Sequence, residues 1–245
     1  MEVDNKSIYD ANWERWSDQK VFGPASRWLR WLVAQNLEHV DGAAIADVID
    51  VGCGQGATTM MLAERFADAR VIGIDFSDAG IAVANRNYAR ANLSFHADQS
   101  SDRLDLERYD LATCFEVLEH VDDWGGFLQR ICRASRRYVM LSFPTGRMRP
   151  FEPSVGHLRN FSRGQVEAAM HSNGYRTTNV FYAGFPFYSP IYRELCNLLN
   201  VGTGDFASGR YGFAQKSVAA LLFISFRYLS LRHRGEKFCG LFERR

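Results

Sequence analysis

The stretch at residues 48–59 constrains this chain most, because an apolar run ends abruptly at three alternating glycines, Gly52, Gly54 and Gly56. A short apolar run of this kind is typical of a buried parallel strand. Glycines at such a turn let a ligand approach the backbone closely, and the helical pattern that follows directs its positive end at the turn. Gly52, Gly54 and Ala57 also fit the loose dinucleotide fingerprint. The glycines therefore predict a ligand-binding turn without identifying the ligand.

The chain alternates between strand and helix patterns after residue 46, which predicts an α/β fold with a parallel, doubly wound sheet. Ligands of such sheets bind beyond the carboxyl ends of the strands, so the residue at each strand end is informative. We predict strands near 47–51, 70–75, 93–97, 109–115 and 137–142, and helices near 57–67, 78–90 and 124–134.

Acidic residues end two successive predicted strands. Asp75 lies about 20 residues beyond the glycines, where a carboxylate can accept both hydroxyls of a ribose. Asp98 ends the next strand, and a second acid beside a pyrophosphate would be repulsive. Either residue alone could be a turn or helix-cap residue. Together they favour a nucleoside without phosphates.

Composition excludes several classes of protein. Lys plus Arg is 29 against 28 for Asp plus Glu, so there is no field that would attract nucleic acid nonspecifically. The five cysteines are scattered without a C-x-x-C motif, as expected for reduced thiols of a cytoplasmic protein. We see neither a signal peptide nor an apolar run of membrane-spanning length, so we expect no integral membrane association.

With these motifs in order, the chain from Asp47 to Pro144 resembles the class I S-adenosylmethionine-dependent methyltransferases. Residues 50–56 look like their first motif, residues 73–77 like their ribose-binding loop, and Ala97-Asp98 like their adenine-binding acid. Residues 115–121 (Phe-Glu-Val-Leu-Glu-His-Val) are similar to a segment of a small-molecule branch that includes the ubiquinone-pathway O-methyltransferases.

The resemblance implies S-adenosylmethionine as cofactor, with Asp50 at its amino group, Asp75 at its ribose and Asp98 at its adenine. Pro24-Ala25-Ser26-Arg27 resembles a segment whose arginine binds near the cofactor carboxylate. The residues expected to contact the cofactor are Arg27, Asp50, Gly52, Cys53, Gly54, Gly56, Asp75, Phe76, Asp98, Gln99, Phe115 and Glu116.

The resemblance also implies a Rossmann-like, mostly parallel sheet of seven strands whose last strand is antiparallel. We expect a single domain in four parts: an N-terminal helical cap at 1–40, a core at 41–183, a helical and aromatic insertion at 184–234, and the last strand at 235–245. The cap is predicted as two helices divided at Gly23-Pro24.

On the acceptor side, two histidines follow the fourth and fifth strands. A hydroxyl acceptor needs a base near neutrality, so His120 and His157 are the candidate catalytic residues. His157 opens a His-x-Arg-x-Phe segment similar to one at the acceptor site of related enzymes, which makes Arg159 and Phe161 candidate substrate contacts. The alternatives are that His120 simply packs and that Arg159 pins its loop to a surface carboxylate. A capping box at Ser162 and Gln165 predicts a helix start.

Two further substrate contacts, Tyr9 and Trp13, follow if the first helix is a lid over the ligand; otherwise both helices only pack on the core. A metal is another alternative, because Glu116, Glu119 and His120, with His157, resemble the metal-binding pattern of the small-RNA 2′-O-methyltransferases. Metal-free relatives share the pattern, so we expect no metal.

The sequence thus predicts a cytoplasmic methyltransferase, monomeric or homodimeric, that acts on a hydroxyl of a small molecule such as a sugar, glycolipid precursor or secondary metabolite. The alternatives are N- or C-methylation, a nicotinamide-dependent oxidoreductase, and a non-catalytic binding protein. Residues 217–234 combine apolar and basic residues, which leaves peripheral membrane contact open beside core packing or a dimer face.

Overall fold

The computed structural model describes residue 13, residues 17–199 and residues 209–245. Tyr9 and most of the first predicted helix lie outside this range. The predicted break at Gly23-Pro24 is confirmed, since one helix ends at Phe22 and the next begins at Pro24 with Gly23 as its N-cap.

Seven strands form one sheet in the order β3-β2-β1-β4-β5-β7-β6, and β7 is antiparallel to both of its neighbours. The predicted α/β class, strand number and antiparallel last strand are therefore confirmed. The strands are β1 (Asp47–Val51), β2 (Arg70–Asp75), β3 (Leu93–Ala97), β4 (Tyr109–Phe115), β5 (Ser135–Pro144), β6 (Tyr175–Ala183) and β7 (Lys237–Arg244).

Helices cover the sheet, as expected when both faces of a parallel sheet are apolar. They are α1 (Ser17–Phe22), α2 (Pro24–Leu37), α3 (Ala57–Arg65), α4 (Asp78–Asn87), α5 (Arg103–Leu106), α6 (Trp124–Ala134), α7 (Gln165–Ser172), α8 (Arg193–Leu198) and α9 (Phe213–Leu229). Short irregular helical turns lie at Gly42–Ala44, Leu118–His120, Pro153–Val155 and Phe187–Tyr192.

Alternate residues of each strand serve two cores, one on each face of the sheet. Val48, Leu111 and Met140 pack with α2, α3 and Phe226 of α9. Ile49, Ala112 and Leu141 of the same strands pack with α6 and α7. The fixed period of two along a strand thus sets which helix lies on which face.

Several helix boundaries differ from the sequence prediction; for example, the helices expected at 57–67 and 78–90 end at Arg65 and Asn87. The helix expected from Ser162 begins at Gln165, because Gly164 in a left-handed conformation is its N-cap. The Gln165 side chain still accepts a hydrogen bond from the Ser162 N–H at 3.0 Å, so only this half of the capping box forms. Helix α9 begins at Phe213 and ends at Leu229, so the basic residues 232–234 follow it rather than belong to it.

The antiparallel direction of β7 has a consequence for the site. Its first residue, Lys237, pairs with Pro144, the last residue of β5. A strand that runs against its neighbours begins at the edge where they end. Residue 237 therefore lies at the same edge as the glycine turn.

Candidate functional site

A cavity of about 630 Å³ opens at the carboxyl ends of β1, β2 and β4. We call it the cofactor cavity. The predicted cofactor residues that line it are Asp50, Gly52, Cys53, Gly54, Asp75, Phe76, Gln99, Phe115 and Glu116. Nine positions predicted from separate strand ends thus meet in one space, as the topology requires.

The glycine turn is shaped by contacts that no side chain would permit. Gly52 has φ +74°, and a Cβ atom there would lie 2.2 Å from Val117 Cγ2. Gly56 has φ +84° and is the N-cap of α3, although it does not itself line the cavity. The backbone N–H groups of Gly52 and Cys53 both donate to Ile74 O, at 2.8 and 2.9 Å. The turn is therefore tied to β2 and offers a close backbone surface to a ligand.

Asp75 is buried at the end of β2 and joins two loops. Its Oδ2 accepts a hydrogen bond from the Gly54 N–H at 2.8 Å, and its Oδ1 accepts one from the Ser77 N–H at 2.9 Å. A carboxylate held by two backbone donors has a fixed direction, and Asp75 lines the cavity. Its position is the one expected for a residue that binds a ribose.

Asp50 is buried below the turn. It accepts hydrogen bonds from the hydroxyls of Thr59 at 2.6 Å and Thr113 at 2.7 Å. Burial raises the pKa of Asp50 to about 6, although both hydroxyl bonds act in the opposite direction. A cationic ligand nearby would favour the ionised carboxylate, so the site suits an ammonium group.

Trp13 covers the cofactor cavity at its turn. The indole Nε1 donates to Ser77 Oγ at 2.7 Å, and the ring lies so close to Gly54 that a Cβ there would be 2.5 Å from it. The prediction that Trp13 contacts the acceptor is therefore revised, because the ring packs on the glycine turn and the loop after β2.

Glu116 follows β4 and faces Lys237 from β7. It has φ +58°, which is unusual for a residue with a Cβ, and its carboxylate accepts hydrogen bonds from Lys237 Nζ and, at 2.7 Å, from Ser142 Oγ. Burial acts to raise the pKa of Glu116, but the Lys237 cation and the Ser142 hydroxyl together outweigh it, so that pKa is lowered. The pair is thus ionised and forms the wall between the two halves of the site.

A second cavity of about 200 Å³ adjoins the first, and we call it the acceptor chamber. The residues that line both cavities are Lys20, Ala25, Ser26, Glu116, Val155, His157, Tyr188 and Lys237. The other walls of the chamber are Phe151, Tyr192 and Arg193, with further contributions from Gln19, Pro144, Glu152 and Cys196. The chamber lies between the loop after β5 and the segment after β6, with an aromatic and charged lining.

His120 and His157 lie side by side with ring centroids 4.7 Å apart and planes nearly perpendicular. His120 Nδ1 lies 2.9 Å from Gly156 O, and since a carbonyl only accepts, this nitrogen carries the proton. His157 Nδ1 is buried without a hydrogen-bond partner among the described residues, so no such bond fixes its tautomer. Burial lowers the pKa of His120 to about 3 and that of His157 to about 4. Both rings are neutral near pH 7.

Glu119 completes a cluster with the two histidines. One donor atom from each of Glu119, His120 and His157 lies within 4.8 Å of the others. Both carboxylate oxygens of Glu119 are buried without a hydrogen-bond partner in the described part of the chain, and burial raises its pKa well above the usual value. Of the four residues in the predicted metal alternative, Glu116 is committed to Lys237, and the other three could hold a divalent cation.

Arg27 does not reach the cofactor cavity. Its guanidinium lies over the ring of Phe223 on α9, 4.4 Å from the centroid. Arg30, one helical turn later, lines the cavity and donates to Lys20 O at 2.8 Å and Val21 O at 2.6 Å. The expectation for Arg27 is therefore wrong in this structure, because the face of α2 that bears it packs against α9.

Asp98 also points elsewhere. Its carboxylate accepts hydrogen bonds from the backbone N–H groups of Asp102 at 3.0 Å and Arg103 at 3.1 Å, at the start of α5. The cavity at this strand end is lined by Gln99, Ser100 and Ser101. The helix-cap alternative thus describes this structure, and a contact of Asp98 with adenine stays a prediction.

Arg159 and Phe161 do not line either cavity, which corrects both expectations. The Arg159 guanidinium donates to Val121 O and lies 3.4 Å from the Asp122 carboxylate. Phe161 is buried in the core against Phe143, with ring centroids 4.7 Å apart. Arg159 pins the loop and Phe161 anchors it, which leaves His157 as the residue of this segment that faces the cavities.

The sequence reasoning missed Lys20, Arg30, Tyr188 and Lys237, all of which line the cofactor cavity. Lys237 could have been found, since the first residue of an antiparallel last strand must lie at the carboxyl edge of the others. The aromatic segment at 181–192 marked the region of Tyr188 without distinguishing it from its neighbours. Nothing in the pattern of α1 marked Lys20.

A family model described as a methyltransferase domain matches residues 48–137. These residues run from β1 to the start of β5 and include the glycine turn, Asp75 and Glu116. The match does not include the loop after β5 or the aromatic segment, which form the acceptor chamber.

Curated relatives match about half of the chain. A ubiquinone biosynthesis O-methyltransferase of Nitrosomonas europaea is 31% identical over 153 residues, covering 59% of this chain and 62% of the relative. A malonyl-acyl-carrier-protein O-methyltransferase of Acetivibrio thermocellus is 27% identical over 106 residues, covering 43% of this chain and 38% of the relative. The chain thus spans less than two thirds of the length of these relatives.

Solved structures share the fold at low identity. Magnesium protoporphyrin IX methyltransferase from Synechocystis, with bound SAM, has a TM-score of 0.55 at 18% identity and covers 73% of this chain and 89% of that one. The cyclase SpnF has a TM-score of 0.57 at 18% identity and covers 88% of this chain and 80% of that one. Since a methyltransferase and a cyclase both match, the shared fold does not by itself assign a reaction.

Proposed function

We propose that this chain, which belongs to the class I S-adenosylmethionine-dependent methyltransferases, transfers a methyl group to a hydroxyl of a small-molecule acceptor. The observation that carries the proposal is the joining of two cavities at His157. One is lined by the predicted cofactor residues, and the other is lined by the aromatic insertion. N- and C-methylation use the same fold and remain the alternatives.

The residues present fit S-adenosylmethionine. Asp75 is directed into the cavity by two backbone donors, as a ribose-binding carboxylate would be. Asp50 suits an ammonium group, and Gly52 and Gly54 present their backbone to the cavity. A nicotinamide dinucleotide is the poorer fit, because Asp50, Asp75 and Glu116 place three carboxyl groups around the space where a pyrophosphate would lie.

Held at Asp50 and Asp75, S-adenosylmethionine would supply an electrophilic methyl group on a sulfonium cation. The walls of the acceptor chamber orient the acceptor and exclude water, which raises its effective concentration. Neutral His157 takes the hydroxyl proton, so the imidazolium then carries the positive charge that a sulfonium would bring to the site. Burial opposes this imidazolium, as do the cations Lys237, Arg193 and Lys20, whereas the neighbouring Glu116 favours it.

His120 acts differently in this proposal. Its Nδ1–H is committed to Gly156 O, which fixes the loop after β5 against the turn that follows β4. We therefore assign His157 as the base and His120 as a positioning residue.

The test is release of S-adenosylhomocysteine from S-adenosylmethionine with hydroxylated and amine-bearing small molecules as acceptors. We expect turnover with a hydroxylated acceptor and a fall in kcat of about a hundredfold or more for His157→Gln, the usual contribution of a general base. Affinity for S-adenosylhomocysteine should not change, which also shows that the variant folds. Turnover with amines alone would exclude the hydroxyl acceptor.

A chelator distinguishes a histidine base from a metal ion bound at Glu119, His120 and His157. The base mechanism predicts that turnover survives a chelator. Loss of turnover that returns on adding Mg²⁺ or Mn²⁺ would replace the base by a metal-activated hydroxyl. Turnover that survives His120→Gln and His157→Gln together would reject both.

We also propose that the protein acts in the cytoplasm as a monomer or homodimer. All five cysteines are unpaired, which suits a reducing compartment. Across residues 17–199 and 209–245, none of the helices has both the length and the apolar character needed to cross a bilayer.

A further inference from the structure

Helix α9 is apolar on the side that faces solvent. Leu221, Ile224 and Tyr228 recur at spacings of three and four, so they lie on one face of the helix. The opposite face is buried through Ala219 and Phe226. A helix that is apolar all round normally lies in a core, yet this one covers the surface. The exposed fractions are 90% for Phe213, 51% for Val218, 66% for Leu221, 48% for Ile224, 66% for Tyr228 and 59% for Leu229.

The charge carried by this segment itself has a single sign, although the Asp18 carboxylate of α1 accepts a hydrogen bond from the Tyr211 N–H at 2.6 Å. Residues 209–235 contain no Asp or Glu, and their five Lys and Arg residues are Arg210, Lys216, Arg227, Arg232 and Arg234. Elsewhere the chain balances its charges, with 29 Lys and Arg against 28 Asp and Glu in total. The basic cluster is therefore a local feature that selects an anionic partner.

Aromatic rings hold most of these cations at the edge of the apolar face. Lys216 Nζ lies 4.3 Å from the centroid of Phe22, and Arg234 lies 4.3 Å from that of Phe185. Arg232 lies 4.7 Å from the centroid of Trp31, and Arg227 lies 5.6 Å from it. Lys216 and Arg227 therefore lie on the flank of α9 that faces α1 and α2, and Arg232 and Arg234 follow the helix, so the cations border the apolar face without interrupting it.

This arrangement fits a lipid surface better than a second copy of the chain. A two-fold interface through α9 would bring the same five cations against themselves without an acidic partner from this segment. An anionic bilayer offers acyl chains for the apolar face and lipid headgroups for the cations. We propose that the outward face of α9 docks on the surface of an anionic membrane.

The docked face lies close to the acceptor chamber. On its buried side, Phe226 contacts Tyr188 and Tyr192, with ring centroids 5.6 and 5.1 Å apart, and both tyrosines line the chamber. One helix thus separates the lipid surface from the chamber. If the proposed methyl transfer is correct, the acceptor is a molecule that partitions into the bilayer, although docking itself does not depend on that reaction.

The experiment is flotation of the full chain with vesicles of phosphatidylcholine and phosphatidylglycerol, compared with phosphatidylcholine alone. We expect binding to the anionic vesicles that weakens steeply with added salt. The variant Leu221→Gln/Ile224→Gln should bind about tenfold or more weakly, since both side chains would leave the acyl region. Leu106→Gln is the matched control, because Leu106 is 79% exposed on α5, away from this face, and it should bind like the wild type.

A pair of charge-reversal variants provides a second test. Arg210→Glu should weaken binding to anionic vesicles about tenfold, whereas Arg133→Glu, an exposed change on α6, should not. Absence of binding by the wild-type chain, or unchanged binding by Leu221→Gln/Ile224→Gln, would overturn the proposal. So would a dimer in sedimentation that the same variant dissociates, because that would make the face a self-interface. Affinity for S-adenosylhomocysteine, measured on each variant, reports folding and tests the proposed function separately.

Discussion

The two cavities of the site are built in opposite ways. The cofactor cavity is formed mainly by residues at the ends of β1, β2 and β4, where each contributes a short, continuous motif. The acceptor chamber is formed by α1, the loop after β5, the segment after β6 and the first residue of β7. The first depends on local sequence and parallel topology, and the second depends on contacts between residues far apart in the chain.

This difference explains which predictions hold. Asp75 could be placed from the sequence, since a strand end next to a glycine turn has one position in a doubly wound sheet. Lys237 could not be paired with Glu116 by any motif, because the two are separated by more than a hundred residues and meet through the antiparallel β7. Local patterns predict the first kind of residue only.

The failures have the same cause. Arg27 and Arg30 are one turn apart on α2, and only the packing of α9 decides which of them faces the cavity. Phe161 lies in a segment similar to acceptor-site segments, but its ring packs in the core against Phe143 of β5. Sequence similarity identified the correct loop. Tertiary packing determines that His157 is the residue of this segment that faces the site.

Among the changes that test this comparison of the two cavities, we expect a substitution of Lys237 to have the largest effect on stability. The change Lys237→Met leaves the Glu116 carboxylate without its cation, and we expect a loss of about 3 kcal/mol in unfolding free energy, measured by urea denaturation. The value lies at the low end for buried pairs because the Glu116 side chain is 30% exposed in the cavity.

The double variant Lys237→Met/Glu116→Gln is the matched control. Removing both charges should recover most of the loss, because no buried carboxylate is then left unpaired. If the double variant is as unstable as Lys237→Met, the wall between the cavities does not depend on this ion pair.

A smaller effect is expected from the acceptor-side histidines as the pH falls. Their folded pKa values, about 3 for His120 and about 4 for His157, lie below the unfolded value of about 6.5. The unfolded chain then takes up protons first, so stability is full above about pH 6.5 and falls towards pH 4. We expect a loss of roughly 1 kcal/mol per histidine between about pH 6 and about pH 5.

Thermal unfolding with a chelator present measures this loss, and His157→Gln should flatten the pH dependence. Asp50 acts in the opposite direction, since its pKa is raised to about 6 and its contribution is lost as the pH rises through that value. Both proteins retain Asp50, so its effect cancels in the comparison. Identical pH profiles for wild type and variant would contradict the placement of His157 in a buried, neutral state.

The smallest effect is expected at Arg159. Because its guanidinium contacts Val121 O and the fully exposed Asp122 side chain, Arg159→Ala should cost about 1 kcal/mol or less in stability. The KM for the acceptor should change less than threefold or so, since one lost contact at the loop surface does not reach the chamber. A large rise in KM with unchanged stability would return Arg159 to the acceptor site.

Titration calorimetry with S-adenosylhomocysteine tests the central claim most directly, with NAD⁺ as the comparison ligand. We predict that S-adenosylhomocysteine binds the wild-type chain while NAD⁺ does not. The change Asp75→Ala should weaken S-adenosylhomocysteine binding about a hundredfold through the lost charged hydrogen bonds. Full affinity in Asp75→Ala, or binding of NAD⁺ in preference to S-adenosylhomocysteine, would contradict the account.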